Sequence, residues 1–101
     1  MELNIINNKG VFEIHGHFVK ENTYKVATYF SELLDTYYEI VICLKSVNKM
    51  DKTALNVMQF ITNKAKRRSK ALFVLGKNNT RIKNQFDKNN LNNIFRNDYC
   101  N

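Results

Sequence analysis

Two short, uninterrupted apolar runs, Ile40-Val41-Ile42-Cys43-Leu44 and Ala71-Leu72-Phe73-Val74-Leu75, decide most of what this chain can become. Runs of about four to eight such residues without polar alternation mark strands inside a sheet, covered on both faces. Each is far shorter than the roughly 20 residues of a membrane-spanning helix, so direct membrane insertion is excluded. Between them Ala54, Leu55, Met58, Ile61 and Ala65 recur at helical spacing. Strands joined through a helix lie parallel, connected by a right-handed crossover.

The remaining elements fall into place around this unit. Leu3 and Ile5 alternate with polar neighbours and predict a strand over 2–6. Asn7-Asn8-Lys9-Gly10 supplies residues that tolerate positive φ, the mark of a tight hairpin into a second strand over 11–16. Asn22 or Thr23 can cap a helix whose inward stripe is Val26, Phe30, Leu33 and Leu34, extended by Tyr37. Lys45 to Met50 reads as a connector, and Asp51 as the cap of the next helix, where a carboxylate accepts exposed backbone N–H groups. Gly76 closes the second apolar run, and Thr80 to Lys88 predicts a third helix with Ile82 and Phe86 inward. Leu91, Ile94, Phe95 and Tyr99 make a weaker final element, a strand near 94–98. The fold class is α/β, a mixed β-sheet packed with helices in the order β-β-α-β-α-β-α(-β). Residues 1–101 form one domain, since the length suits one core and not two.

Charge is distributed unevenly. The 16 Lys and Arg against 9 Asp and Glu give a formal +7. Residues 1–50 hold five cations and six carboxylates, residues 51–101 eleven and three. The densest stretch is Lys64, Lys66, Arg67, Arg68 and Lys70, at the end of the second helix. It reads as a solvated helix end favoured by the dipole, as a dock for an acidic protein, or as a phosphate-backbone contact. The nucleic-acid reading would be stronger with aromatics interleaved among the charges; Phe60 and Phe73 are near in sequence, but Phe73 belongs to an apolar strand. Cys43, inside an apolar run, reads as a buried hydrophobe, and Cys100 lies at the fraying end. Two such cysteines make no disulfide framework, and the first residues show no basic-then-apolar secretory pattern. A reduced, cytoplasmic protein is the expectation.

Residues 47–58 carry a specific resemblance. Val47-Asn48-Lys49-Met50-Asp51-Lys52-Thr53-Ala54-Leu55 resembles the central motif of STAS domains, the family of bacterial anti-sigma factor antagonists. That motif follows a buried strand with a hydrophobic residue, Asp, two hydroxyl residues, Gly and Leu opening a helix. Met50, Asp51 and Leu55 match it, and the early hairpin, Gly16, Gly76 and Leu91 to Phe95 fall where the family places such features. The resemblance implies a non-enzymatic protein-interaction module acting in transcription regulation, with an anti-sigma factor or related regulatory kinase as partner. The implied contact surface is Lys49, Asp51, Lys52, Thr53 and Asn56. An alternative within the same family is a subunit docking on the ATPase of a membrane ABC transporter. Two departures stand out: Lys52 occupies the position of the phosphorylatable Ser or Thr, and Ala54 that of the Gly. Thr53 is the one hydroxyl within reach of a kinase working in shifted register.

Other chemistry is poorly represented. Glu13, His15 and His17 alternate on the second strand, and a His-x-His pair can hold a divalent metal, but Gly16 interrupts it and no further ligand is identifiable. Ser31, Ser46 and Ser69 lie in no nucleophile motif, and three glycines form no phosphate loop. No enzyme activity, cofactor or metal is expected.

Overall fold

The structure, a computed structural model, describes residues 2–91 and 94–95. Its elements are β1 (Leu3–Asn8), β2 (Val11–Phe18), α1 (Thr23–Thr36), β3 (Glu39–Cys43), β4 (Val47–Met50), α2 (Lys52–Arg67), β5 (Ala71–Leu75) and α3 (Thr80–Lys88), with a 3-10 turn at Lys20–Asn22 before α1. The sheet runs β1-β2-β3-β5, and β4 pairs with β2 beyond the end of β3. β1 is antiparallel to β2, whereas β3, β4 and β5 all run parallel to it. The hairpin turns through Lys9 and Gly10, both at positive φ, and the Asn7 side chain accepts from the Gly10 N–H at 2.9 Å.

The core lies between the sheet and the helices. Phe12, Ile14, Phe18, Ile40, Ile42 and Val74 from the strands meet Val26, Phe30 and Leu34 of α1 and Ala54, Leu55, Met58 and Ile61 of α2. These are the inward stripes that the helical spacing predicts. Phe12, Tyr29 and Phe30 stack edge-to-face with centroids 5.1–6.0 Å apart, a geometry aromatic quadrupoles favour. Gly16 is required by space: at φ +105°, a Cβ there would sit 2.2 Å from the backbone oxygen of Glu2.

Four expectations need correction. The segment 45–50 is not a plain connector, because Val47–Met50 forms β4. Val47 and Met50 are both buried although three apart, which strict alternation forbids. The register solves this: Gly16 pairs with Val47 and His17 with Lys49, so Asn48 is one extra residue, a bulge that turns Met50 back to the core. Second, β3 is not covered equally on both faces. Ile40 and Ile42 are fully buried, but Val11, Val41 and Phe73, paired across three strands on the opposite face, are only half-buried. Third, Tyr37 does not extend the stripe of α1. Its backbone is already extended, and its ring is about half exposed. Fourth, Asn22 occupies the cap position of α1 without capping it, as its amide donates instead to the His17 carbonyl at 2.7 Å.

At the far end Ile94 and Phe95 pack on the core, and Phe95 makes an isolated parallel bridge with Val74. The rest of the strand expected near 94–98, with Tyr99 and Cys100, lies outside the described residues.

Candidate interaction site at the amino ends of the helices

Parallel strands deliver their following loops to one end of a sheet, and the helices that follow begin there. The ends of β2, β3, β4 and β5 therefore bring the segments 19–22, 44–46, 51–53 and 76–81 together. The helices α2 and α3 are each preceded by a polar residue whose side chain reaches into a neighbouring loop. Asp51 is the clearest case. Its Oδ1 accepts from the Ala54 N–H at 3.0 Å, capping α2, while Oδ2 accepts from the Lys20 N–H at 2.9 Å. One carboxylate thus starts a helix and fixes the turn before another. The first half of this was legible as an N-cap; the second joins residues 31 apart.

Asn79 does the same for α3. Its Oδ1 accepts from Arg81 N–H, and its buried amide donates to the Leu44 and Val47 carbonyls, both at 2.9 Å, and more weakly to Lys45. Arg81 adds donation from Nε to Val47 and from Nη2 to Lys45. At the step from β3 to β4 these two side chains add to the backbone bonds Leu44 N–H to Leu75, Val47 N–H to Leu44 and Gly16 N–H to Ser46. Sequence reading missed both. The available signal was the Asn78-Asn79 pair directly before a helix start, which spoke for loop chemistry but not for its target.

On this frame Lys49, Lys52 and Asn56 are exposed, and Asp51 and Thr53 are half-buried. Lys49 sits on β4, Asp51 at the cap, Lys52 and Thr53 in the first turn of α2, and Asn56 one turn on. The five residues thus run from the end of β4 through the first two turns of α2. Both oxygens of Asp51 are occupied by backbone donors, so its neighbours supply the outward chemistry.

The basic stretch at the other end of α2 is less uniform than its sequence. Lys64 is buried, with Nζ donating to the Ser31 carbonyl and hydroxyl at 2.9 and 2.7 Å and lying 3.3 Å from Asp35. Arg68 donates to Asp35 at 2.7 Å, and Lys70 to the Tyr37 carbonyl at 3.1 Å. Lys66 and Arg67 are exposed. The Lys64 ammonium, with Arg68 adding, holds the Asp35 carboxyl below its ordinary range. The stretch thus divides between joining α2 to α1 and facing solvent.

Glu13 and His15 do share a face, with His15 Nε2 2.8 Å from Glu13 Oε1. That hydrogen bond, with a second from Asn8, holds the Glu13 carboxyl below its usual range. Among the described residues no group of three or more His, Cys, Asp or Glu could hold a metal ion, and no helix is long and apolar enough to cross a membrane.

The fold is a mixed α/β, STAS-like arrangement, with five strands and three helices among the described residues. Among solved structures, a sulfate transporter family protein from Wolinella succinogenes is similar over 85% of this chain and 71% of that one, with a TM-score of 0.62 at 18% identity. At that identity the likeness shows the fold alone. No family model matches the sequence, and no curated protein does.

Proposed function

We propose that the chain is a non-enzymatic STAS-type interaction module that binds an anti-sigma factor or related regulatory kinase through Lys49, Asp51, Lys52, Thr53 and Asn56. The observation that carries this reading is the Asp51 carboxylate. By capping α2 and fixing the Lys20 turn together, it presents the motif residues on a rigid, exposed frame. Rigid presentation reduces the ordering entropy that a partner interface must overcome. The action is competitive sequestration in a bacterial cytoplasm: occupying the anti-sigma factor frees the sigma factor.

Lys52 places a fixed positive charge where the resemblance expects a phosphorylatable hydroxyl, so the phospho-switch is absent in this reading. Stoichiometric phosphorylation of Thr53 by a cognate kinase would overturn that part.

A second reading, a subunit docking on the ATPase of a membrane ABC transporter, is favoured by one observation: the similar solved structure is a sulfate transporter family protein. Affinity capture from the native host separates them. A sigma-regulating partner supports the first, and a transporter ATPase the second. Capture that survives substitution of both Lys52 and Asn56 by alanine, with the fold intact, sinks both.

A further inference from the structure

Six cations from four separate loops meet at the end of the sheet that carries Asp51. Lys20 follows β2, Lys45 follows β3, Lys49 and Lys52 flank the end of β4, and Lys77 and Arg81 follow β5; all six are exposed. The carboxylates at this end are Glu2, Glu21 and Asp51. Asp51 is already committed to two backbone N–H groups. Glu13, further down β2, lies within electrostatic reach of Lys45.

The placement runs against helix energetics. A helix amino end carries partial positive charge and favours Asp or Glu in its first turn. None of α1, α2 or α3 has an acidic residue there. Lys52 instead opens α2, and Lys20 sits beside Glu21 in the turn before α1; Arg81, in the first turn of α3, also donates to the Val47 and Lys45 carbonyls. The amino ends of α1 and α3 and these exposed cations therefore add with the same sign, opposed at α2 by the Asp51 cap. Charges placed where they weaken folding are candidates for binding.

We infer that this face docks an acidic surface of a protein partner; the inference rests on the interaction reading above and names the chemistry of the partner's side. A small anion is disfavoured because the cations come from loops spaced across several strands, and among the described residues no buried side-chain nitrogen or oxygen lacks a hydrogen-bond partner. A continuous phosphate backbone is disfavoured because Glu2 and Glu21 interrupt the field, whereas a protein surface of mixed charge can match them. Tyr24, in the first turn of α1 and 81% exposed, offers an aromatic anchor at the same end.

The test is an NMR titration of the isotope-labelled full chain with a short poly-L-glutamate peptide at low salt, with duplex DNA and inorganic phosphate as parallel arms. Shifts should centre on Lys20, Lys49, Lys52 and Lys77 and weaken steeply as salt is added. Reversing two charges in K49E/K52E should lower the affinity by about tenfold or more, while K66E/R67E should change it by less than about twofold. Shifts centred on 64–70 or divided between both ends, an unaffected K49E/K52E, or tighter binding of DNA or phosphate each overturn the inference. The two readings can fail separately. If polyglutamate maps here but no partner is captured, the functional reading fails alone. If a captured partner is lost on substitution of Lys52 and Asn56 by alanine but polyglutamate does not map to this end, the inference fails alone.

Discussion

The two ends of α2 both carry cations, and the charges do different work. At the carboxyl end, Lys64 and Arg68 converge on Asp35 and Lys64 turns inward to Ser31, tying α2 to α1. The helix dipole there favours cations, so charge and fold agree. At the amino end Lys52 opposes the dipole, and neither it nor Lys49 contributes to the core. What holds that end is instead a set of polar caps, Asp51 and Asn79, each bonded to a second loop. A cation that agrees with local energetics needs no partner to explain it. One that opposes them points outward.

The largest effect should come from Asn79. Asn79→Ala removes the donor to three carbonyls near a buried strand end and should destabilise by about 2–4 kcal/mol. Its melting temperature should fall by roughly 10 °C or more. A fall of only one or two degrees would mean that β4 is held by its ladder alone. Next is Asp51→Ala, which removes the cap of α2 and the acceptor for Lys20, at about 1–2 kcal/mol. Asp51→Asn should recover part of that loss, and hydrogen exchange at Lys20 and Ala54 reports which bond remains.

Smaller and more diagnostic are paired charge reversals. Lys52→Glu should stabilise the fold by about 0.3–1 kcal/mol, and Arg67→Glu should destabilise it by a similar amount. Opposite shifts in the denaturation midpoint at constant slope would sharpen the contrast between the two ends. Shifts of the same sign would break it.

The smallest effect concerns acid. The Asp35 carboxyl is depressed in the folded chain by Lys64 first, with Arg68 contributing. The stability it adds is present above its unfolded pKa of about 4 and is lost as pH falls through the lower folded value. Asp35→Asn should therefore remove this contribution near neutrality and change little below the folded pKa, which flattens the acid limb of the stability curve. Half exposure and salt screening keep the effect modest.

Much of the fold was legible because the deciding patterns are local. The periodicity of Ala54, Leu55, Met58, Ile61 and Ala65 and the apolar runs at 40–44 and 71–75 need no distant partner to be read. β4 was not legible, since a four-residue strand with a bulge at Asn48 shows neither alternation nor an apolar run. Asp51 was legible as a cap, but its bond to Lys20 was not, nor was Asn79's hold on Leu44 and Val47, because sequence spacing carries no information about which loops meet.

The sequence by itself determined most element types, most of the inward stripes and the helix start at Asp51, because each depends on neighbours within a few residues. It also suggested a near-neutral first half and a basic second half. The tertiary structure redrew that map. Lys20 and Lys45 come from the near-neutral half, yet they share one end with Lys52, Lys77 and Arg81, while Lys64 and Arg68 are partly neutralised by Asp35 from α1. Charge acts through space and not along the chain, so only the parallel strands, by sending their loops to a common end, decided which cations form a surface.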